Sequence, residues 1–309
     1  MNTVLYWVLR VLVAAIQLLP LRFVVRLGRA MGAVVFVLGG RYRRVATENL
    51  ELCFPEKSSE EIQAIARENF HRIFENYLAA IKTAGMSPEA LRPHLEFIGA
   101  EKILKFEQAV GPQSRIVAIG HFGNFELYAR FGQYVPQFRC AATYRGLKQP
   151  ALNRLLMSLR NRSGCQFFER RTDTEALKAA MNDTGLLLGL LADQHSIRGV
   201  QLPFFGKICA ISTAPAILAL RYDCPLHTAI CYRTGLARWR IEAGDEIPTR
   251  IDGKPRPLGD IMLEVNQEFE KAIRRDPANW FWLHRRWKVP NRRTKLAKKA
   301  GNPQPETSP

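Results

Sequence analysis

Acidic residues are scarce in this chain: 28 Asp and Glu stand against 45 Lys and Arg in 309 residues, a formal charge of +17. The imbalance points to a polyanionic partner, which leaves nucleic acid, an anionic membrane surface or a phosphorylated substrate. No helix-turn-helix, zinc-finger or RNA-binding signature accompanies the charge, so no nucleic acid partner is expected. The six cysteines (Cys53, Cys140, Cys165, Cys209, Cys224 and Cys231) form no CxxC pair and have no histidine at zinc spacing, so no metal is expected. Several sit inside apolar runs and read as small buried hydrophobes in a reducing compartment. A Gly-x-Ser-x-Gly elbow is missing, which argues against a serine hydrolase. No internal repeat is visible, and no apolar run reaches the roughly 20 residues of a clear membrane span.

The rest is rich enough to fold. At 47% apolar composition, the chain can bury the core of one large α/β domain or two smaller ones. Residues 1–40 differ in kind: Val4 to Leu19 is nearly all apolar, and a second run, Ala30 to Leu38, follows Arg22, Arg26 and Arg29. No small-residue cleavage site follows the first run, so it does not read as a removed signal peptide. A short span, an interfacial hairpin and a core helix pair are the three readings. Tyr6, Trp7 and the cluster Arg41, Arg43, Arg44 favour membrane association, with the following domain on the cytoplasmic side. Lys288 to Pro309 reads as a disordered tail that adds grip on anionic lipid. The expected organisation is a membrane-anchoring helical segment at 1–40, an α/β domain at 41–290 and a tail at 291–309.

Between the ends, helical and strand patterns alternate. Ser58 to Ala84 has helical spacing, closed by Gly85 and Pro88, and helices are also expected at Glu101 to Val110, Phe125 to Tyr134, Ala151 to Arg162, Glu175 to Met181, Ala214 to Arg221 and Ile261 to Ile273. Thr172 and Glu175 have the spacing of a capping box. Strands are expected at Arg115 to Ile119, Phe138 to Thr143, Cys165 to Phe168, Leu186 to Leu191 and Pro225 to Tyr232. The alternation predicts an α/β fold with a largely parallel central sheet flanked by helices, and ligands at the carboxyl ends of the strands.

The most informative stretch follows the first of these strands: His121-Phe122-Gly123-Asn124-Phe125-Glu126. On one helix, a separation of five would put His121 and Glu126 about 140° apart. They can meet if His121 lies in the strand-to-helix turn and Glu126 in the first helical turn, with Gly123 supplying the bend and Asn124 the N-cap. Glu126 would then hold one ring nitrogen and leave the other to take a proton.

Four further motifs sit near the strand ends: Tyr144 to Pro150 with Arg145 and Lys148, Leu191-Ala192-Asp193-Gln194, Leu202-Pro203-Phe204-Phe205-Gly206, and Trp280 to Lys288. With the His/Glu turn and Asn49-Leu50-Glu51-Leu52-Cys53-Phe54-Pro55, this set resembles the late acyltransferases of lipid A biosynthesis. Those are the lauroyl and myristoyl transferases of the lysophospholipid acyltransferase superfamily, and the likeness runs to about Pro290. It implies a glycerolipid acyltransferase-like fold at the cytoplasmic face of a bacterial inner membrane. It further implies an acyl carrier protein thioester, or acyl-CoA, as donor, a hydroxyl of a phosphorylated glycolipid as acceptor, and no cofactor.

Two positions depart from the family pattern. Phe125 stands where Trp is frequent, and His195-Ser196-Ile197 precede Arg198-Gly199 where an acid and a glycine usually follow Asp-Gln; the second departure bears on the acceptor. In the mechanism this suggests, His121 deprotonates the acceptor hydroxyl and Glu126 orients the ring. Backbone N–H groups of Gly123 and Asn124, then Arg145, face the oxyanion, while Asp193 and Gln194 support the site or the acceptor. Arg145, Lys148 and Arg170 or Arg171 bind phosphates of the acceptor or of the pantetheine arm. Competing readings are another lipid acceptor (an ornithine lipid, a lysophospholipid or another glycolipid), a lipid hydrolase, or a basic nucleic-acid-binding protein.

Overall fold

The computed structural model describes residues 2–105, 112–183 and 185–287. Four helices come first: α1 (Asn2–Leu18), α2 (Leu21–Leu38), α3 (Gly40–Cys53) and α4 (Ser59–Ala84). α4 starts where Ser58 and Glu61 exchange side-chain and backbone hydrogen bonds of 3.3 and 2.8 Å, and Glu60 and Glu61 in its first turn suit the helix dipole. α2 packs on α4 with the backbones in contact. A Cβ on Gly28 would sit 2.7 Å from Glu75 Cα, and one on Gly32 would sit 2.5 Å from the Phe70 carbonyl oxygen. The buried Glu75 carboxylate ties this pair to the sheet, accepting from Arg29 at 3.1 Å and from Arg233 at 2.9 Å.

One side of α2 is buried through Leu21, Val24, Val25 and Phe36. Its other side leaves Phe23, Leu27, Met31, Val34 and Val37 exposed, continuous in character with Trp7, Val8, Val11 and Leu12 on α1. Among the described residues no helix is long and apolar enough to cross a membrane.

The α/β portion then runs through α5 (Pro88–Leu91), β1 (Leu95–Ile98), α6 (Ala100–Leu104), β2 (Arg115–Ile119), a 3₁₀ segment (Phe125–Tyr134) and β3 (Arg139–Tyr144). It continues with α7 (Pro150–Arg160), β4 (Gln166–Glu169), α8 (Thr174–Asn182), β5 (Leu186–Leu191), β6 (His195–Phe204), β7 (Lys207–Ile211) and α9 (Ala214–Arg221). It ends with β8 (Leu226–Gly235), β9 (Arg238–Ala243), β10 (Arg250–Ile251), β11 (Lys254–Pro255) and α10 (Leu258–Arg275).

Among the described residues, seven strands form one sheet in the order β1-β9-β8-β2-β5-β3-β4, parallel at every pairing except β8 with β9. The largely parallel sheet expected from the alternation is present, and β1 and β9 extend it beyond the five expected strands. In β2, Ile116 and Ala118 enter one core while Val117 and Ile119 enter the other, the period-2 alternation of a strand covered on both faces.

Three local expectations differ from the structure. Phe125–Tyr134 is a 3₁₀ helix, not an α-helix. Arg130, in its middle, reaches out to the Thr83 and Met86 carbonyls at the end of α4, at 2.5 and 2.8 Å, and Tyr128 Oη bridges to β8. The capping box at Thr172 does not form: Thr172 Oγ1 donates to Asp173 Oδ1 at 2.8 Å, and the N-cap of α8 is Asp173 itself. The helix expected over Glu101 to Val110 ends at Leu104, and 106–111 lie outside the described residues, as does the tail after Trp287.

Candidate active site

Strand register builds the site. β2 and β5 are neighbours with Ile119 opposite Leu191, and the Ala192 N–H donates to the Ile119 carbonyl at 3.0 Å. Two residues beyond each end stand His121 and Asp193, so the parallel pairing delivers both to the carboxyl edge side by side. His121 Nδ1 lies 2.8 Å from Asp193 Oδ1, and the His121 backbone N–H donates to Asp193 Oδ2, also at 2.8 Å. An ionised carboxylate only accepts, which places the ring proton on Nδ1 and leaves Nε2 with its lone pair. The long 3.4 Å approach of the Gln194 amide to Nε2 is weak enough for a substrate to displace.

Asp193 is 1% exposed. Burial pushes its carboxyl up, but the facing His121, the two hydrogen bonds from that residue and nearby Arg286 outweigh this and hold it at about 2. Arg286 is itself fully buried, donates to the Asp193 carbonyl and, at 3.2 Å, to Asn266 Oδ1, and lies 4.2 Å from the centre of the Phe204 ring.

His121 opens on a largely apolar cavity of about 230 Å³ between α4, the 3₁₀ segment, α7 and the chain after Pro277. Ile73, Tyr77, Ala80, Leu156 and Leu159 supply apolar wall, and Asn124, Glu126 and Arg160 supply the polar groups. A second apolar cavity lies between Phe131, Cys140, Cys165 and Ile241, and Ala129 borders both.

Glu126 shares the cavity with His121, but no hydrogen bond joins them among the described residues. Its carboxylate is clamped by Arg160, with Nη2–Oε1 at 2.6 Å and Nε–Oε2 at 3.0 Å. The expected acid partner of the ring is therefore replaced by Asp193, 72 residues away in sequence. The reason is geometric: the 3₁₀ turn carries Glu126 toward α7, where a guanidinium fork meets it bidentately.

Gly123 is indispensable as a bend, with φ of +51°, and a Cβ there would sit 2.6 Å from the Cys231 carbonyl oxygen. Its N–H donates to the Asn279 carbonyl at 2.9 Å, so it is not available to an oxyanion as expected. Asn124 occupies the N-cap position but makes no side-chain cap bond. Both of its amide atoms are buried and unpartnered among the described residues, at the wall of the cavity.

Arg145, Lys148, Arg170 and Arg171 are exposed as residues, Arg170 with its guanidinium partly covered beside Thr143 Oγ1 at 3.4 Å, and they line neither apolar cavity. They follow β3 and β4 on the same sheet edge as His121, two and three strands away, which at ordinary strand spacing is roughly 10–14 Å. Arg145 is therefore not among the residues that line the cavity beside His121. The Arg170 guanidinium is pulled below its usual range by partial burial and by neighbouring Arg145, in part offset by Glu169. Glu169 fastens both loops by accepting from the N–H groups of Gly146 at 3.1 Å, Arg171 at 2.6 Å and Thr172 at 3.1 Å.

The aromatic stretch after α10 forms a strap across the site. Asn69 Nδ2 donates to the Ala278 and Trp280 carbonyls at 2.9 and 2.6 Å, and Asn49 Nδ2 donates to those of Trp282 and His284 at 2.8 and 3.0 Å. The sequence motif around Asn49 thereby acquires a function in holding the strap. The β6–β7 hairpin supports it from below: Phe205 and Gly206 have φ of 52° and 67°, a type I′ turn. The strain at Phe205 is offset by its N–H bond to Glu270 Oε1 at 2.6 Å and by ring contact with Phe54 at 5.5 Å. Among the described residues no group of three His, Cys, Asp or Glu is placed to hold a metal ion.

An imidazole braced by a carboxylate at the mouth of an apolar cavity is the equipment of a base-catalysed reaction on a lipid-like chain. The model of the bacterial lipid A biosynthesis acyltransferase family matches residues 1–289, and the chain belongs to that family, which makes it an O-acyltransferase. It is similar to the lipid A biosynthesis lauroyltransferase of Escherichia coli, 26% identical over 278 residues covering 88% of this chain and 87% of the relative. The palmitoleoyltransferase of the same organism is 26% identical over the same shares of the two chains. A lipid A biosynthesis acyltransferase of Haemophilus influenzae is 26% identical over 92% of this chain and 90% of its own length.

Proposed function

We propose that this acyltransferase moves a fatty acyl chain from an acyl carrier protein thioester to a hydroxyl of a phosphorylated lipid A precursor, at the cytoplasmic face of the bacterial inner membrane. The observation that carries the reading is the 2.8 Å bond between His121 Nδ1 and Asp193, which leaves Nε2 as the unclaimed ring nitrogen of a residue that lines the apolar cavity. Nε2 takes the acceptor's proton as its oxygen attacks the thioester carbonyl. The imidazolium that forms faces the Asp193 carboxylate. When the tetrahedral intermediate collapses, the proton passes to the departing thiolate. A positioned base of this kind contributes roughly 10² to 10⁴ in rate.

The oxyanion needs donors that await it. The buried, unpartnered Asn124 amide and the Arg160 guanidinium, held in place by Glu126, line the same cavity as Nε2. In this reading Glu126 acts through Arg160 and does not touch the base. No nucleophilic Ser or Cys is needed, because the thioester is already activated. The apolar cavities take the acyl chain. Arg145, Lys148, Arg170 and Arg171, displaced along the strand ends, are offered to phosphates of the acceptor or of the pantetheine arm. The bare faces of α1 and α2 rest on anionic lipid, which the net charge of +17 also attracts.

The test is to incubate detergent-solubilised protein with labelled acyl carrier protein thioester and a phosphorylated glycolipid acceptor. Labelled acyl glycolipid is the expected product, lost in His121→Ala. Free fatty acid as the only product would make the protein a hydrolase and overturn the reading.

A further inference from the structure

Trp280 aims an indole N–H at the acid partner of the base, and the proposed reaction gives that group no part. It donates to Asp193 Oδ2 at 2.8 Å. That oxygen also accepts the His121 backbone N–H at 2.8 Å, while Oδ1 faces His121 Nδ1 at 2.8 Å. The carboxylate is therefore gripped on both oxygens, and the indole is its partner from the far end of the chain.

Everything around the indole keeps it in place. Trp280 is 2% exposed, and its ring meets Trp282 at 4.7 Å, Phe204 at 5.8 Å and Trp287 at 6.4 Å. Its own carbonyl is held by Asn69. The next residue upstream, Asn279, donates to the Cys231 carbonyl at 2.9 Å and accepts the Gly123 N–H at 2.9 Å. The strap thus touches the turn that bears His121 and the acid that braces it. Without the indole, Oδ2 would keep only the His121 backbone N–H and Oδ1 only the imidazole, so the carboxylate would be held by His121 alone.

We propose that Trp280 is a positioning residue for the base, fixing the Asp193 carboxylate so that Oδ1 stays on Nδ1 and Nε2 stays turned into the cavity. This rests on the reading of His121 as the base. Removing the N–H also concentrates negative charge on the carboxylate, which strengthens its hold on the imidazolium and delays formation of the free base as pH rises. The other titratable and charged groups around the pair are His195 beyond β5, His284 and Arg286 on the strap, Tyr128 below, and the Glu126–Arg160 pair across the cavity. None of these is changed by the substitution.

The experiment replaces Trp280 in the full-length, detergent-solubilised enzyme by benzothienylalanine, an isostere in which sulfur stands for the N–H. Transfer from acyl carrier protein thioester to the glycolipid acceptor is followed across pH, beside Trp280→Phe and His121→Ala. The isostere keeps the shape and apolar area of the indole, and with them its ring contacts to Trp282, Phe204 and Trp287. It should lower kcat roughly 10- to 100-fold, leave KM for the thioester within about two-fold, and move the acid limb of the rate profile to higher pH. An unchanged kcat and pH profile in the isostere, with His121→Ala inactive, overturns the role of Trp280 alone. A loss confined to KM, or one with an unmoved pH profile, overturns it as well. Full activity in His121→Ala overturns the underlying reading instead.

Discussion

His121 Nδ1 and Asp193 Oδ1 meet at 2.8 Å because each stands two residues past the end of one of two neighbouring parallel strands. In the proposed reaction the carboxylate selects the ring tautomer and stabilises the imidazolium, so its loss should act on kcat and not on binding. Asp193→Asn keeps the shape, yet its amide can turn an N–H toward Nδ1 and favour the wrong tautomer. Steady-state kinetics should show kcat reduced by roughly 10² to 10⁴ with KM for the thioester little altered. An enzyme at near-native kcat would show that Asp193 does not brace the base.

Both strands that bear this pair are legible as apolar runs, and their bounds, Arg115–Ile119 and Leu186–Leu191, agree with the expectation. Their adjacency is not legible, because strand order depends on which crossovers pack, and that is a property of the whole fold. Glu126 is the nearest acid to His121 in sequence, and local spacing alone favours it. Only the three-dimensional arrangement sets Arg160 against Glu126 and leaves the ring to Asp193. The strap is hidden for the same reason, since Asn49 and Asn69 contact it across 209 to 235 residues. β1 is only four residues long, and β9 carries Arg238, Arg240 and Glu242, so neither has an apolar run to announce it.

Glu126 and Arg160 should behave as one unit. Removing either leaves the other as an unpaired charge at 24% or 13% side-chain exposure, so most of the damage is done by the first change. Glu126→Gln and Arg160→Met are each expected to depress kcat/KM strongly, and the double variant to be little worse than either single one. A double-mutant cycle should return a coupling of roughly 1–3 kcal/mol. Strict additivity would mean that the two residues serve separate purposes.

Ala129 separates the cavity beside His121 from the second apolar cavity. A larger side chain there should take space from both cavities and shorten the acyl chain that the site accepts. Ala129→Leu, assayed with thioesters of graded chain length, is expected to turn the preference toward shorter chains by about 10- to 100-fold, the range set by roughly 1–3 kcal/mol of steric discrimination. An unchanged preference would place the acyl chain elsewhere.

The native-state carboxyl of Asp193 sits at about 2 against a usual 3.8, so the stabilisation from its ionised form is fully present above the usual value and is lost as pH falls through about 2. A shift of this size amounts to about 2 kcal/mol for a fully buried group. Thermal unfolding of the wild type should therefore worsen more steeply below roughly pH 4 than that of Asp193→Asn, which has no carboxyl to protonate. Parallel slopes for the two proteins would remove this group from the acid response.

The outer faces of α1 and α2 lend themselves to a direct measurement. Trp7, Val11, Phe23 and Val34 are all more than half exposed, an apolar face of the kind that marks an interaction surface, here read as the one that meets the bilayer. Burying such a side chain in the acyl boundary is worth about 1.5–3 kcal/mol, so two polar replacements, Val11→Ser and Phe23→Ser, should weaken binding to anionic vesicles by at least about 100-fold. Neither residue contacts the His121 cavity, so turnover of a detergent-dispersed acceptor should remain near native. Co-sedimentation with vesicles separates this face from the basic groups: added salt weakens the electrostatic share for all proteins alike, while the apolar share lost in the Ser variants does not return. Undiminished binding of the double variant would show that these helices meet something other than the bilayer.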